Sequence, residues 1–116
     1  CALVTSGNRW YINSVFDRFG LASFFAGIVS VEDVSAHKPL PDPYLAGAKL
    51  LGVPPVQCAA VEDSTTGVAS AKAAGMYCIA APSESTLDAD LSAADVRVES
   101  FREIGSAALD ELFGVR

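Results

Sequence analysis

Histidine is almost missing from this sequence: His37 is the only one in 116 residues. A zinc site built from histidine and cysteine therefore lacks ligands. A Ser-His-Asp hydrolase would need His37 as its base, and no nucleophile elbow accompanies it. Cysteine is scarce as well. Cys1, Cys58 and Cys78 form no CxxC pair, and their odd number makes no complete disulfide framework. Cys58 and Cys78 lie in apolar runs, where a free thiol behaves as a small hydrophobe, so a reducing, cytoplasmic setting is expected. Basic residues are few: 8 Lys and Arg stand against 14 Asp and Glu, a formal net charge of -6. That excludes a general nucleic-acid binder, which needs a clustered basic surface. No apolar run approaches the ~20 residues of a membrane span, so no membrane partner is expected. No amino-terminal stretch reads as a signal peptide. Cys1 stands where a nascent chain would carry methionine, which implies a cleaved chain or a piece of something longer.

What is present is apolar and rhythmic. Half the residues (51%) are hydrophobic, enough for one domain with a buried core. Ala2–Thr5 reads as a strand ending in small polar residues. Asn8 caps a helix whose apolar positions are Ile12, Val15, Phe16 and Phe19, with Gly20 just past its end. Ile28–Val31 is a β-branched strand candidate. Residues 35–43 hold three prolines and read as a loop. Asp42-Pro43 opens a second helix with Tyr44, Ala48 and Leu51 on its apolar face and Gly52 as its stop. Cys58–Val61 is a third strand, Ser64 caps a small-residue helix ending at Gly75, and Met76–Ala81 is a fourth strand. Ser83–Asp95 is ambiguous, Val96–Val98 is a short edge strand, and Ile104, Ala108 and Leu112 mark a terminal helix. Strands alternating with helices argue for an α/β domain with a parallel sheet. In such sheets the ligand sits beyond the carboxyl ends of the strands.

Three polar stations stand at such ends. Thr5-Ser6-Gly7-Asn8 offers a hydroxyl and backbone N–H groups at a helix start, suited to an anion, or simply a helix cap. Lys38 lies within His37-Lys38-Pro39-Leu40-Pro41-Asp42-Pro43-Tyr44, where prolines restrict the backbone and a fixed lysine suits a phosphate. His37 has no assigned task. Val61-Glu62-Asp63-Ser64 places two carboxylates where a hard cation such as Mg²⁺ could bind, or where they merely favour the start of a helix. Val31-Glu32-Asp33 repeats the tripeptide without a capping serine or helix after it and reads as loop surface.

Together the stations resemble the haloacid dehalogenase superfamily, most closely its β-phosphoglucomutase-like, sugar-phosphatase branch. LVTSG resembles that superfamily's second motif, HKPLPDPY its third and VEDSTTGVASAKAAG its fourth. Thr5 and Lys38 are 33 residues apart, and Lys38 and Asp63 are 25 apart, as in that branch. The resemblance implies an α/β, Rossmann-like parallel sheet with flanking helices. It implies a Mg²⁺-dependent phosphatase acting through an aspartyl-phosphate on small phosphorylated metabolites, sugar or polyol phosphates. By position, Thr5 and the Ser6 N–H would bind phosphate, and Lys38 would offset charge on the phosphoryl group. Asp63 would bind Mg²⁺, with Glu62 binding directly or through water. Asn8 and Arg9 could reach a substrate. A phosphomutase, or a non-catalytic domain binding phosphate or a protein, are the alternatives.

The first motif of that family, DxDGT on the first strand, is absent from residues 1–116. Asp88-Ala89-Asp90 has the spacing but the wrong place in the order, so no nucleophile is assigned within this chain. The helical cap is absent too. Residues 1–116 thus read as the carboxyl-terminal portion of a core domain, inactive alone. In the family the first strand lies between those carrying the second and fourth motifs. The expectation is therefore a gap between Ala2–Thr5 and Cys58–Val61, filled by an amino-terminal part of the same protein.

Overall fold

The computed structural model describes residues 1–105, 107, 109 and 110. Among these residues, five strands form two separate sheets, each parallel. β1 (Ala2–Val4) pairs with β2 (Gly27–Val29), and β3 (Ala59–Glu62) pairs with β4 (Tyr77–Ala80), which pairs with the short edge strand β5 (Val96–Arg97). Ala2 lies opposite Gly27, Ala59 opposite Tyr77, and Ile79 opposite Val96. The parallel α/β architecture agrees with the sequence reading.

The helices begin and end for local reasons. α1 (Arg9–Phe19) starts where the Asn8 side chain accepts the Tyr11 N–H, and it stops at Gly20, whose φ of 62° is left-handed. α2 (Asp42–Leu51) begins one residue earlier than expected, with Pro41 at the cap and Pro43 in its first turn. α3 (Thr65–Ala73) starts at Ser64, whose hydroxyl accepts the Gly67 N–H. Ser83–Asp95 is mostly turns, with a 3-10 turn at Glu84–Thr86.

Several assignments shift. Val31 is not in a strand: it opens a 3-10 turn, Val31–Asp33, because Ser30 and Asp33 close a capping box there. On α1, Ile12 and Phe16 are buried but Phe19 is exposed, with the Arg18 guanidinium 5.8 Å from its ring centre. Leu51 is exposed too: on the last turn of α2, it lines the apolar opening between β1 and β3. Ile104 follows a 3-10 turn at Phe101–Glu103, and Ala107, Leu109 and Asp110 are helical; Ala108 and Leu112 lie outside the described residues. All three cysteines are free, and Cys58 and Cys78 are buried. No helix among the described residues is long and apolar enough to cross a membrane.

The core is built from small residues, which lets the helices lie close on the strands. Ala48 of α2, Ala60 of β3, Val68 and Ala71 of α3, and Cys78 and Ala80 of β4 pack in one cluster, and Val4 of β1 packs against it. α2 therefore rests on both sheets. β1 and β3 do not pair. Between them an apolar cavity of about 270 Å³ is lined by Ala2 and Val4 on one side and Cys58 and Ala59 on the other. This opening leaves β1 only half-buried, unlike β4.

Asp95 anchors the edge strand. Its carboxylate accepts the Lys72 ammonium at 2.8 Å and the Cys78 N–H at 2.7 Å. The Lys72 hydrogen bond, then the Cys78 N–H, holds the Asp95 carboxyl below the ordinary aspartate range. The folded form thus binds this proton less readily than the unfolded chain. The stabilisation is fully present above the ordinary carboxylate pKa and is lost as pH falls through the lowered folded value. Asp95→Asn should therefore be less stable than the parent at neutral pH. In urea melts across pH the two curves should converge in acid, and a constant gap down to pH ~2 would contradict this account.

Candidate active site

The polar stations meet at the carboxyl ends of β1 and β3. A cavity of about 400 Å³ there is lined by Thr5, Ser6, Lys38, Glu62, Asp63 and Ser64. Phe101 also lines it, a contact the sequence reading did not anticipate. The loop that carries Lys38 runs between the end of β2 and α2 and brings its side chain across the opening.

At the first station, the Thr5 hydroxyl accepts the Gly7 N–H at 3.0 Å, so its own hydrogen remains to be donated. The Ser6 N–H has no hydrogen-bond partner among the described residues. Two donors at one loop thus line the cavity. Asn8 and Arg9 serve elsewhere. Asn8 is the cap of α1, and the Arg9 guanidinium pairs with Asp33 and donates to the Ile28 carbonyl at 3.0 Å. Neither is among the residues that line the cavity.

Lys38 spans the gap between the sheets. Its ammonium donates to the Val4 carbonyl at 3.2 Å and forms a short ion pair with Glu62. It also stands 5.1 Å from the ring centre of Tyr44. The Lys38 and Glu62 side chains are only 11% and 7% exposed. The Lys38-Pro39 peptide bond is cis.

Glu62 is committed to this pair. One of its oxygens accepts Lys38 and also the Tyr44 hydroxyl at 2.5 Å. The other accepts the Ser64 hydroxyl at 3.5 Å. Burial, and then the charge of Glu62, raise the Tyr44 phenol well above its ordinary pKa, so Tyr44 stays a donor. Burial and Glu62 likewise push the Cys78 thiol up to about 11, which keeps it an inert neutral group. Glu62 fits because residue 67 is glycine: a Cβ there would overlap the Glu62 carboxylate. Neither Tyr44 nor Gly67 carried a functional reading in the sequence, where one was an apolar helix position and the other a small helix residue.

Asp63 points to the other side of the strand end. One of its oxygens accepts the Ser83 hydroxyl at 3.3 Å, and Oδ1 has no partner among the described residues. Ser83 follows β4 and was also not singled out by the sequence. As a hard oxygen donor with a free lone pair, Asp63 suits a divalent cation. Glu62 suits it less, since both its oxygens are already engaged. No group of three or more His, Cys, Asp or Glu side chains that could hold a metal is found among the described residues. Asp88-Ala89-Asp90 stays apart from this cavity, with the Asp90 carboxylate bonded to Ser92.

This geometry predicts how the pair responds to small changes. Gly67→Ala should displace Glu62 and cost about 1–3 kcal/mol, as overpacking does. Tyr44→Phe removes a hydrogen bond to a charged group and should cost about 1.5–3 kcal/mol. Urea unfolding of the intact protein measures both, and unchanged midpoints would show that Glu62 is held by other means.

The sequence profile of the haloacid dehalogenase-like hydrolases matches residues 1–81. Protein CbbY of Rhodobacter capsulatus is 43% identical over 88 residues, 76% of this chain and 39% of that protein. Fructose-1-phosphate phosphatase YqaB of Escherichia coli is 36% identical over 75 residues, 65% of this chain and 40% of that protein. A crystal structure of CbbY from Rhodobacter sphaeroides in complex with xylulose-1,5-bisphosphate superposes with a TM-score of 0.85 at 33% identity, covering 93% of this chain and 50% of that one. The chain thus spans half or less of the length of each of these three proteins. The match of profile, sequence and fold leads to one conclusion: this chain belongs to the haloacid dehalogenase-like hydrolase family, in its sugar-phosphatase branch.

Proposed function

We propose that this chain supplies the phosphate-binding and charge-offsetting part of a Mg²⁺-dependent phosphatase that acts on small phosphorylated metabolites, sugar or polyol phosphates. One observation carries the reading. Thr5, Ser6, Lys38 and Asp63, from distant parts of the sequence, line one polar cavity at the carboxyl ends of two parallel strands. The substrate class follows the relatives, one acting on fructose 1-phosphate and one seen with a sugar bisphosphate.

In this reading the Thr5 hydroxyl and the Ser6 N–H donate to phosphate oxygens. Lys38 offsets the negative charge that gathers as the attacking carboxylate approaches phosphorus. Glu62 and Tyr44 fix Lys38 in place, so no reorganisation is needed when substrate arrives. Mg²⁺, when bound, offsets the repulsion between phosphate and nucleophile. Asp63 is its ligand from this chain, and Glu62 contributes at most through water. The nucleophilic aspartate that forms the aspartyl-phosphate comes from outside these 116 residues, on a strand that pairs with β1 and β3 and fills the cleft between them. The same protein supplies that strand from its amino-terminal part. The enzyme works in the cytoplasm, where its free thiols stay reduced.

In the intact protein, Asp63→Asn and Lys38→Ala should each lower phosphatase turnover by at least ~100-fold, the scale of removing one transition-state contact. Chelation should abolish turnover and added Mg²⁺ should restore it. Release of inorganic phosphate from sugar phosphates measures all three. Near-normal turnover in both variants would refute the assigned site.

A further inference from the structure

The reading above makes no use of Arg9, Glu32 and Asp33, yet these residues hold the loop that carries Thr5 and Ser6. Ser30 is fully buried, and its N–H and hydroxyl both donate to Asp33 Oδ2, at 2.7 and 2.8 Å. The Arg9 guanidinium donates to the same oxygen. Glu32 accepts the Arg9 backbone N–H on both its oxygens, at 3.2 and 3.1 Å. Main-chain bonds complete the clamp: Thr5 N–H to the Val29 carbonyl at 2.9 Å, and Val31 N–H to the Gly7 carbonyl at 3.2 Å. The loop is thus tied at Thr5, at Gly7 and at Arg9. Between these ties lies Ser6, whose N–H is left over.

Both acids stay charged under ordinary conditions. A backbone N–H hydrogen bond lowers the Glu32 pKa, and the Ser30 N–H lowers that of Asp33. A carboxylate at the first N–H of α1 also opposes the positive end of the helix dipole. The position is notable because Glu32 and Asp33 lie outside the cavity. A phosphate held there would not touch them, so any influence must pass through the loop.

We propose that Arg9, Glu32 and Asp33 are positioning residues that hold the Thr5–Gly7 loop in the shape that turns the Thr5 hydroxyl hydrogen and the Ser6 N–H to the cavity. The inference rests on the reading of that loop as the phosphate site. The second Val-Glu-Asp tripeptide then has a task of its own, at the end of β2, rather than being loop surface.

The test uses the intact protein and the variants Glu32→Gln, Asp33→Asn, Thr5→Ala and the double variant Asp33→Asn/Thr5→Ala. At a temperature where all are folded, Asp33→Asn should lower kcat/KM for a sugar phosphate by roughly tenfold, as loss of one charged hydrogen bond does. In the Thr5→Ala background the same change should cost less than about threefold, because much of its effect runs through the missing hydroxyl. Equal losses in both backgrounds would overturn the proposal and leave only a structural role. Amide hydrogen exchange gives a readout that needs no turnover. The Arg9 N–H should exchange about tenfold faster in Glu32→Gln, and the Val31 N–H likewise in Asp33→Asn, while the Ala81 N–H, bonded to the Glu62 carbonyl, should not change. Unchanged exchange at Arg9 and Val31 overturns the clamp whether or not the protein is a phosphatase. If the parent protein hydrolyses no phosphate ester, the proposed function fails, and the exchange rates alone decide the clamp.

Discussion

The buried ion pair of Lys38 and Glu62 is the interaction on which the rest of the molecule depends. It joins two sheets that share no backbone hydrogen bonds. Lys38 also reaches the Val4 carbonyl, so one ammonium touches both sides of the cleft. Taking two charges out of water is costly, and a buried pair is stable only when its remaining lone pairs are satisfied. Tyr44 and Ser64 meet that need on Glu62. Among the described residues no buried side-chain polar atom is left without a partner. Losing one member of such a pair leaves the other charge stranded, typically at a cost of about 3–5 kcal/mol.

This pair also explains a division of labour between adjacent acids. In a strand, successive side chains point to opposite faces. Cys58, Ala60 and Glu62 are all buried on the face that packs under α2 and α3, so Glu62 is drawn inward and finds Lys38 there. Asp63, one residue on, escapes that face and keeps an oxygen free. The sequence reading gave both acids to the metal. Parity along β3 already distinguished them, since Glu62 falls in step with Cys58 and Ala60.

Much of the fold was legible because its signals are local. The caps Asn8 and Ser64, the stops Gly20 and Gly52, and the parallel strand pattern all act within a few residues of their own position. The meeting of Thr5, Lys38 and Asp63 was legible through motif order and spacing. What escaped depended on contacts across the chain. Periodicity marked Tyr44 as apolar, which its ring is, but could not say that its hydroxyl would meet Glu62. Gly67 looked like one more small residue, and only the carboxylate lying against it gives it a reason. Phe19 and Leu51 had the right period, but both stay exposed, Leu51 at the opening between β1 and β3. The turn at Val31–Asp33 was hidden because Ser30 and Asp33 together override the strand preference of Val31, which lies between them.

In the proposed intact protein an amino-terminal strand fills the seam between the sheets, and Lys38 and Glu62 are a second tie across it. Apolar packing under α2 resists compression but lets surfaces slide, whereas an ion pair with fixed hydrogen-bond directions resists shear. Sliding β1 past β3 would carry Lys38 Nζ off Glu62 Oε1 and, in the same movement, carry Thr5 out of line with Asp63. A single displacement coordinate therefore governs both the strength of the strut and the aim of the groups that line the cavity.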